Sequence, residues 1–247
     1  MEERKYPGPF LTNIIVRIDF ASPITEIALK LPNEFSKKAF ESFPILEPKN
    51  VVPTHMLLSP EGKEQTQIQK EWNFFSKNRE KQLTITGETL FISYNKYETF
   101  EQLKNEFLKL VETLYGAHSD LIVRRFGLRY INNIKLDELD FTNWARYING
   151  NLLCMFSFSE NQEIISRAFN NMSFNYDNFN LNFHYGMYNP DYPASIREKV
   201  FILDFDAFQQ GPQDFNDLKG NIEMFHEKIQ ELFESCITND LRTKMGL

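Results

Sequence analysis

The most regular feature of the chain is a series of short segments in which apolar and polar residues alternate. In the first of them, residues 13–20, every second side chain is apolar from Ile14 to Phe20. Such a period of two is typical of a half-buried strand. The same pattern predicts further strands over residues 67–75, 82–86, 89–95, 121–134, 164–176, 179–187 and 199–208. Residues 44–66 contain four prolines and Gly62, which predicts a long connection with little regular structure.

Two longer segments follow the period of an α-helix. The first begins at Phe100, with Thr99 placed to cap it, and its apolar residues are Leu103, Phe107, Leu110 and Leu114. The second begins near Asp214, and its apolar residues are Phe215, Leu218, Ile222, Phe225 and Ile229. Steps of three and four give each helix one buried stripe. Short helices are expected after Asn33, as N-cap, and over residues 141–148.

The order of these elements repeats along the chain. A strand, a short helix, three strands and a long helix occur in residues 1–118 and again in residues 119–247. The repeat predicts an α+β fold of two tandem diverged β-α-β-β-β-α units in one globular body, with antiparallel sheets and long helices packed on one face. The alternative is a single irregular α+β domain. Residues 152–158 are left over, and predict either an extra edge strand or part of the second short helix.

Composition and charge restrict the functions open to the chain. The 247 residues are 42% apolar and include 24 Phe and 10 Tyr, enough to build a dense aromatic core. The net charge is −7 and the sequence pI is near 5.3. A surface built throughout to hold nucleic-acid phosphates would be basic, so this balance argues against one.

Location and cysteine chemistry are restricted in the same way. No apolar stretch reaches the roughly 18 residues that a membrane-spanning helix needs, and residues 1–10 lack the apolar core of a signal peptide. We therefore expect a cytoplasmic protein with no membrane partner. The two cysteines, Cys154 and Cys236, have no second pair at metal-ligand spacing, and we expect two free thiols packed as small apolar groups.

The densest polar cluster on a predicted strand lies between Arg124 and Asn133. Alternation places Arg125 and Arg129 on one face, beside a glycine, where they could hold a phosphate or a carboxylate. Tyr130 and Asn132 complete this candidate ligand-binding set, although they fall on the opposite face. The alternative interpretation is that the arginines pair with acidic side chains of a neighbouring element.

Other candidate chemistry is sparse. Asp204 and Asp206 share one face of a predicted strand, as a divalent-metal pair would, but no third ligand can be identified. The four histidines lack zinc-site spacing, and no serine or cysteine lies in a nucleophile elbow. No glycine-rich phosphate loop occurs. We therefore predict no catalytic residues and no cofactor.

Residues 169–192 interleave aromatic side chains with asparagines. Single-strand nucleic-acid binders stack bases on such platforms, but they also need basic residues. Here only Arg167, just before the segment, accompanies His184. An ordinary aromatic sheet is expected, with a protein-binding face as the next interpretation.

The segment from Arg125 to Asn132, which reads R-x-G-L-R-Y-x-N, carries a family resemblance together with residues 72–76. It resembles a sporadically distributed family of bacterial proteins about 250 residues long. Asn78-Arg79 departs from the family, in which an acidic residue is expected. The resemblance implies no particular activity; by association, a patchy distribution implies an accessory role such as phage defence or a toxin-antitoxin-like pair.

Two functional hypotheses follow. The first is a non-catalytic protein-binding or assembly module with a protein partner, since the aromatic surface is ample and the catalytic signals are absent. Homodimerisation by sheet extension belongs to this hypothesis. The second is a nucleic-acid or nucleotide-binding protein, either a binder alone or an enzyme, that uses Arg125, Arg129 and Tyr130 on its arginine-bearing strand.

Overall fold

The computed structural model describes residues 6–51, 69–135, 144–194, 196 and 198–246. The strands within these ranges are β1 (Leu11–Phe20), β2 (Ile45–Val51), β3 (Gln69–Phe75), β4 (Lys81–Ile85), β5 (Thr89–Tyr94), β6 (Val123–Lys135), β7 (Ala168–Asn175), β8 (Asn180–Met187) and β9 (Val200–Gln213). The helices are α1 (Asn33–Ser42), α2 (Phe100–Ala117), α3 (Trp144–Tyr147), α4 (Phe215–Cys236) and α5 (Asn239–Lys244). No helix in the described ranges is long and apolar enough to cross a bilayer.

The arrangement of the strands corrects the predicted fold class. The sequence predicted two matched β-α-β-β-β-α units that form antiparallel sheets with long helices on one face. The strands instead form a single nine-stranded sheet in the order β2-β3-β4-β5-β1-β6-β9-β8-β7. Strand exceeds helix, at 37% against 31% of the described residues, and within them five strands precede α2 whereas four lie between α2 and α4. The predicted fold class, two tandem β-α-β-β-β-α units whose antiparallel sheets carry long helices on one face, was therefore wrong.

The strand that the sequence did not predict is β2, which lies in the segment predicted to be irregular. It pairs antiparallel with β3, and Pro48 lies opposite Trp72. A proline cannot donate a ladder hydrogen bond, but an edge strand needs such bonds on one side alone. Since β2 is at the edge of the sheet, its proline content does not prevent pairing. The rest of the predicted connection, residues 52–66, lies outside the described residues.

Three local predictions also need correction. Asn33 is the first residue of α1, and the helix has Pro32 at its N-cap position without a side-chain cap. Residues 152–158 form neither an edge strand nor helix α3, since a 3-10 turn over Gly150–Leu153 continues into further turns. Helix α3 covers Trp144–Tyr147 alone, and residues 141–143 of that predicted helix lie outside the described residues.

Contacts divide the chain into two compact units, and each unit is built from segments that are separate in the chain. Unit 1 comprises Met1–Ile14, Leu128–Phe208 and Glu223–Leu247. Unit 2 comprises Ile15–Gly127 and Gln209–Ile222. Each unit has its own buried side chains.

Unit 2 is built around helix α2, whose start and buried face follow the sequence pattern. The Thr99 hydroxyl accepts a hydrogen bond from the Gln102 backbone N–H at 3.2 Å, which confirms the predicted cap. The ring of Phe107 stacks on that of Phe126 in β6, with centroids 5.5 Å apart and planes 2° from parallel. The predicted stripe is buried at all four of its positions, Leu103, Phe107, Leu110 and Leu114.

Unit 1 has the aromatic core that the composition predicted. Phe183 and Phe205 stack at 4.6 Å between centroids, on neighbouring strands β8 and β9. Phe225 of α4 packs against Phe179 at 5.2 Å between centroids. These contacts leave the opposite side of β7, β8 and β9 carrying half-buried and exposed side chains. That less covered side contains Asp204 and His184, which lie opposite each other in the register of β8 and β9.

Candidate functional site

Arg129 and Asp204 join strands β6 and β9 in unit 1 through two hydrogen bonds. Arg129 Nε donates to Asp204 Oδ1 at 2.8 Å, and Nη2 donates to Oδ2 at 2.6 Å. The carboxylate is buried, while the guanidinium is half exposed. The hydrogen bond that Arg129 donates to Asp204 raises the pKa of Arg129 above its ordinary value. The structure thus gives Arg129 the acidic partner that the alternative interpretation expected.

Aromatic and charged side chains continue from this ion pair toward the sheet edge. The His184 ring lies parallel to that of Phe169, with centroids 6.2 Å apart, and its Nδ1 is 3.8 Å from Asp204 Oδ2. Tyr188 meets Phe169 edge to face at 5.7 Å between centroids. We call the following set the exposed row: Arg129, Asp204, His184, Phe169, Tyr188 and Arg167, whose guanidinium lies 4.6 Å from the Tyr188 ring centroid. Its formal charges balance apart from one arginine, which gives little attraction for a polyanion.

The other predicted ligand-binding residues lie elsewhere. The Tyr130 hydroxyl is buried and hydrogen-bonds to His226 Nδ1 at 2.8 Å. Asn132 is also buried, and its Nδ2 donates to the Leu203 carbonyl at 3.3 Å. Arg125 is half-buried and belongs to unit 2. The structure therefore does not bring Tyr130 and Asn132 to the exposed row, as the alternation along β6 already indicated.

The two aspartates of the possible metal pair lie on β9. Asp204 uses both carboxylate oxygens to bind Arg129, so a cation there would have to displace a guanidinium. Asp206 is half-buried and lies opposite Asn182 in the register with β8. Among the residues that the structure describes, no group of three or more His, Cys, Asp or Glu could hold a metal ion.

The two edge strands of the sheet differ in their side chains. Strand β2 carries Glu47, Pro48 and Lys49, three residues of the kinds that keep exposed edges from pairing with other chains. Strand β7 has the sequence AFNNMSFN, with no charge and no proline. Its Phe169 and Met172 are both exposed. Strand β7 therefore lacks the usual protection of an edge strand.

A cavity of about 410 Å³ lies beside Trp144 in unit 1. Neutral side chains line it, namely Trp144, Ala145, Gly150, Leu153, Cys154, Phe156, Ser157 and Gln162. The indole of Trp144 is 3% exposed, and its Nε1 has no hydrogen-bond partner within the described residues. A buried polar group left unpaired costs about 1–3 kcal/mol. The Trp144 cavity thus has a neutral lining, and the unpaired indole N–H of Trp144 is buried rather than open to it.

Sequence reasoning missed the Trp144 cavity because its residues follow no period. They come from α3, the 3-10 turn and the turns that follow it, where side chains have no common face to detect. The one available signal was a tryptophan close to a run of apolar residues, 152–156, that fitted no element. Strand β7 could be recognised as a strand, but its place at the edge depends on the strand order.

The two thiols are expected to differ sharply in reactivity. Both are free; Cys236 is buried as predicted, whereas Cys154 is exposed and does not pack as an apolar group. Burial raises the pKa of Cys236 to about 12. Since the thiolate is the reactive form, a disulfide reagent at pH 8 should titrate one thiol at once and the second after unfolding. In Cys154→Ser the fast reaction should vanish, and two fast thiols in the native protein would contradict the assignment.

Comparisons with known proteins do not assign the chain to a family. No family model matches the chain, and no curated protein matches it. Among solved structures, Methanococcus jannaschii TBP is similar with 12% identity and a TM-score of 0.27, over 91% of this chain and 99% of that one. A TM-score this low carries no conclusion about fold or activity. Because no family model and no curated protein matches, the resemblance stated from the R-x-G-L-R-Y-x-N segment stays a prediction.

Proposed function

We propose that the chain is a non-catalytic protein-binding module that assembles by pairing its edge strand β7 with β7 of a second copy. The observation that carries the proposal is the contrast between the edges, since β2 holds charges and a proline whereas β7 holds neither. We place this module in the cytoplasm, and the accessory role suggested by the family resemblance is compatible with it.

Self-pairing is chemically reasonable for this strand. An edge strand presents a row of unpaired N–H and C=O groups that another strand can satisfy. In a two-fold antiparallel pair, the residue at the axis faces its own copy, and residues on either side face one another across the pair. A charged residue near the axis would then meet a like charge, which destabilises a sheet pair.

Strand β7 avoids that penalty. With Asn171 at the two-fold axis, the amide can both donate to and accept from its copy. With Met172 at the axis, two exposed apolar side chains bury each other. Neither register places a charge across from a charge, because the strand has none. The sequence of β7 is thus self-complementary in either register.

Sedimentation velocity across a wide range of protein concentration tests the proposal. The wild-type protein should form dimers, and Met172→Lys should weaken dimerisation by about tenfold or more, since it brings two like charges together. Leu29→Lys is the matched control, because Leu29 is exposed, lies in unit 2 and undergoes the same change of charge. A monomeric wild type, or a Met172→Lys protein that dimerises as well as Leu29→Lys, would overturn the proposal.

The nucleic-acid alternative draws less support. Its principal residue, Arg129, already has its charge neutralised by Asp204. Affinity for phosphates depends on cations that are free to neutralise them, and the whole chain carries a charge of −7. No particular feature of the exposed row favours a polyanion over a protein surface.

A further inference from the structure

We infer that strand β2 is a closed edge, one that accepts no further strand, and that Pro48 closes it and so limits assembly to two copies. The inference rests on the proposed pairing of β7 and adds what ends the assembly. When two copies join through β7, each still presents the other edge of its sheet, which is β2. If β2 could pair as well, successive contacts would not close, and the sheet would grow as a filament.

Pro48 lacks the donor that pairing on the free side of β2 requires. Strand β2 bonds to β3 on one side, where Pro48 lies opposite Trp72. Because proline has no N–H to give to that ladder, its bonding side faces away from β3, toward the free edge. Backbone groups of alternate residues point to the same side of a strand, so Leu46 and Asn50 share this side. Pro48, the middle residue of Ile45–Val51, is therefore a missing donor at the centre of the free edge.

The position of Pro48 makes each long self-pairing of β2 unfavourable. In a two-fold antiparallel pair, the register with Pro48 at the axis is the one that pairs the whole of Ile45–Val51. Two prolines then face each other, so both central hydrogen bonds are lost and two rings take their place. Moving the axis to Glu47 or Lys49 shortens the pairing and brings two like charges together. Strand β7 has neither obstacle, since it holds no proline and no charge.

The charges of β2 are not its principal barrier. Arg79 forms an ion pair with Glu47. Glu71 lies opposite Lys49 in the register with β3. Each charge thus has an opposite charge close by, which reduces the repulsion between two copies. With the axis at Pro48, moreover, Glu47 of each copy faces Lys49 of the other, so the charges favour this register and the proline opposes it.

Pro48→Val tests the inference directly. Valine restores the N–H and favours a strand, so the register with this position at the axis becomes available over the whole of β2. In sedimentation velocity, the mass of Pro48→Val should keep rising with protein concentration beyond that of the wild-type dimer. Pro23→Val is the matched control, because Pro23 is exposed, lies in unit 2 and belongs to no strand. A Pro48→Val protein that stays the same size as Pro23→Val would overturn the inference.

Reversing the charges of β2 locates the new contact. Added to Pro48→Val, Glu47→Lys would bring lysines of the two copies together, and the assembly should weaken by about tenfold or more. Adding Lys49→Glu as well makes the facing charges opposite again and should restore the assembly. Assembly that responds to neither change would place the contact outside β2, and β2 could then not be the edge that Pro48 closes.

Met172→Lys separates this inference from the pairing of β7. Combined with Pro48→Val, it leaves β2 as the open edge of the described sheet, so growth should stop at dimers. If the wild-type protein is monomeric, the pairing of β7 fails, yet Pro48→Val should still form dimers and β2 keeps its role. If the wild type is dimeric and Pro48→Val is no larger, the pairing of β7 stands and the inference about β2 fails. Unlimited growth of the combined variant would be aggregation independent of the edges and would also disprove it.

Discussion

Replacing Gly186 with alanine is expected to destabilise the protein by about 3 kcal/mol or more. Gly186 lies in β8 with a backbone φ of +128°, a conformation that side chains rarely adopt. A Cβ there would come within 2.2 Å of the Ala168 carbonyl oxygen in β7. Backbone strain and a backbone clash therefore act together, and the substitution should push β7 away from β8. Urea denaturation followed by circular dichroism measures the loss.

Gly211 is the matched control for this prediction. Its φ is +115°, yet a Cβ there meets nothing within 4 Å. Gly211→Ala should therefore show the conformational strain alone, about 1–2 kcal/mol. The difference between the two variants isolates the close approach of β7 to β8. Similar losses in both would mean that β7 yields to the added methyl group without cost.

Elements with a strong apolar period could be predicted from the sequence. Helix α2 begins and buries its stripe as expected because both its cap and its stripe are local signals, set by Thr99 and by spacings of three and four. Strand β2 was not predicted because a segment that contains Pro48 resembles an irregular connection. Such a segment can be recognised as a strand only when its place at the edge of the sheet is known. The predicted architecture was wrong for a related reason. Alternation identifies strands, but it does not specify which strands pair.

The candidate residues show the same limit. Alternation along β6 separated Arg129 from Tyr130 correctly, because the direction of a side chain depends on local geometry. Choosing Asp204 as the partner of Arg129 requires knowing that β6 lies beside β9, and 75 residues separate the two in the chain. No period along the chain singles out Trp144. Its unpaired N–H follows from tertiary packing, which a pattern of apolar and polar positions does not encode.

Phe201→Ala is expected to lower the free energy of unfolding by about 3–5 kcal/mol, the usual cost of emptying a large buried site. Phe201 is fully buried, and it supports both Trp144 and Phe156 behind the cavity. Phe158→Ala removes the same ring from a side chain that is 95% exposed, so it should change stability by no more than about 0.5 kcal/mol. Thermal unfolding followed by circular dichroism compares them.

This pair of phenylalanines tests whether burial decides which aromatic ring in unit 1 stabilises the fold. If Phe158 contributed to packing, its replacement would destabilise the protein. A stable Phe158→Ala protein would show that the fold does not need this ring. A loss of stability close to that of Phe201→Ala would instead assign Phe158 to the core.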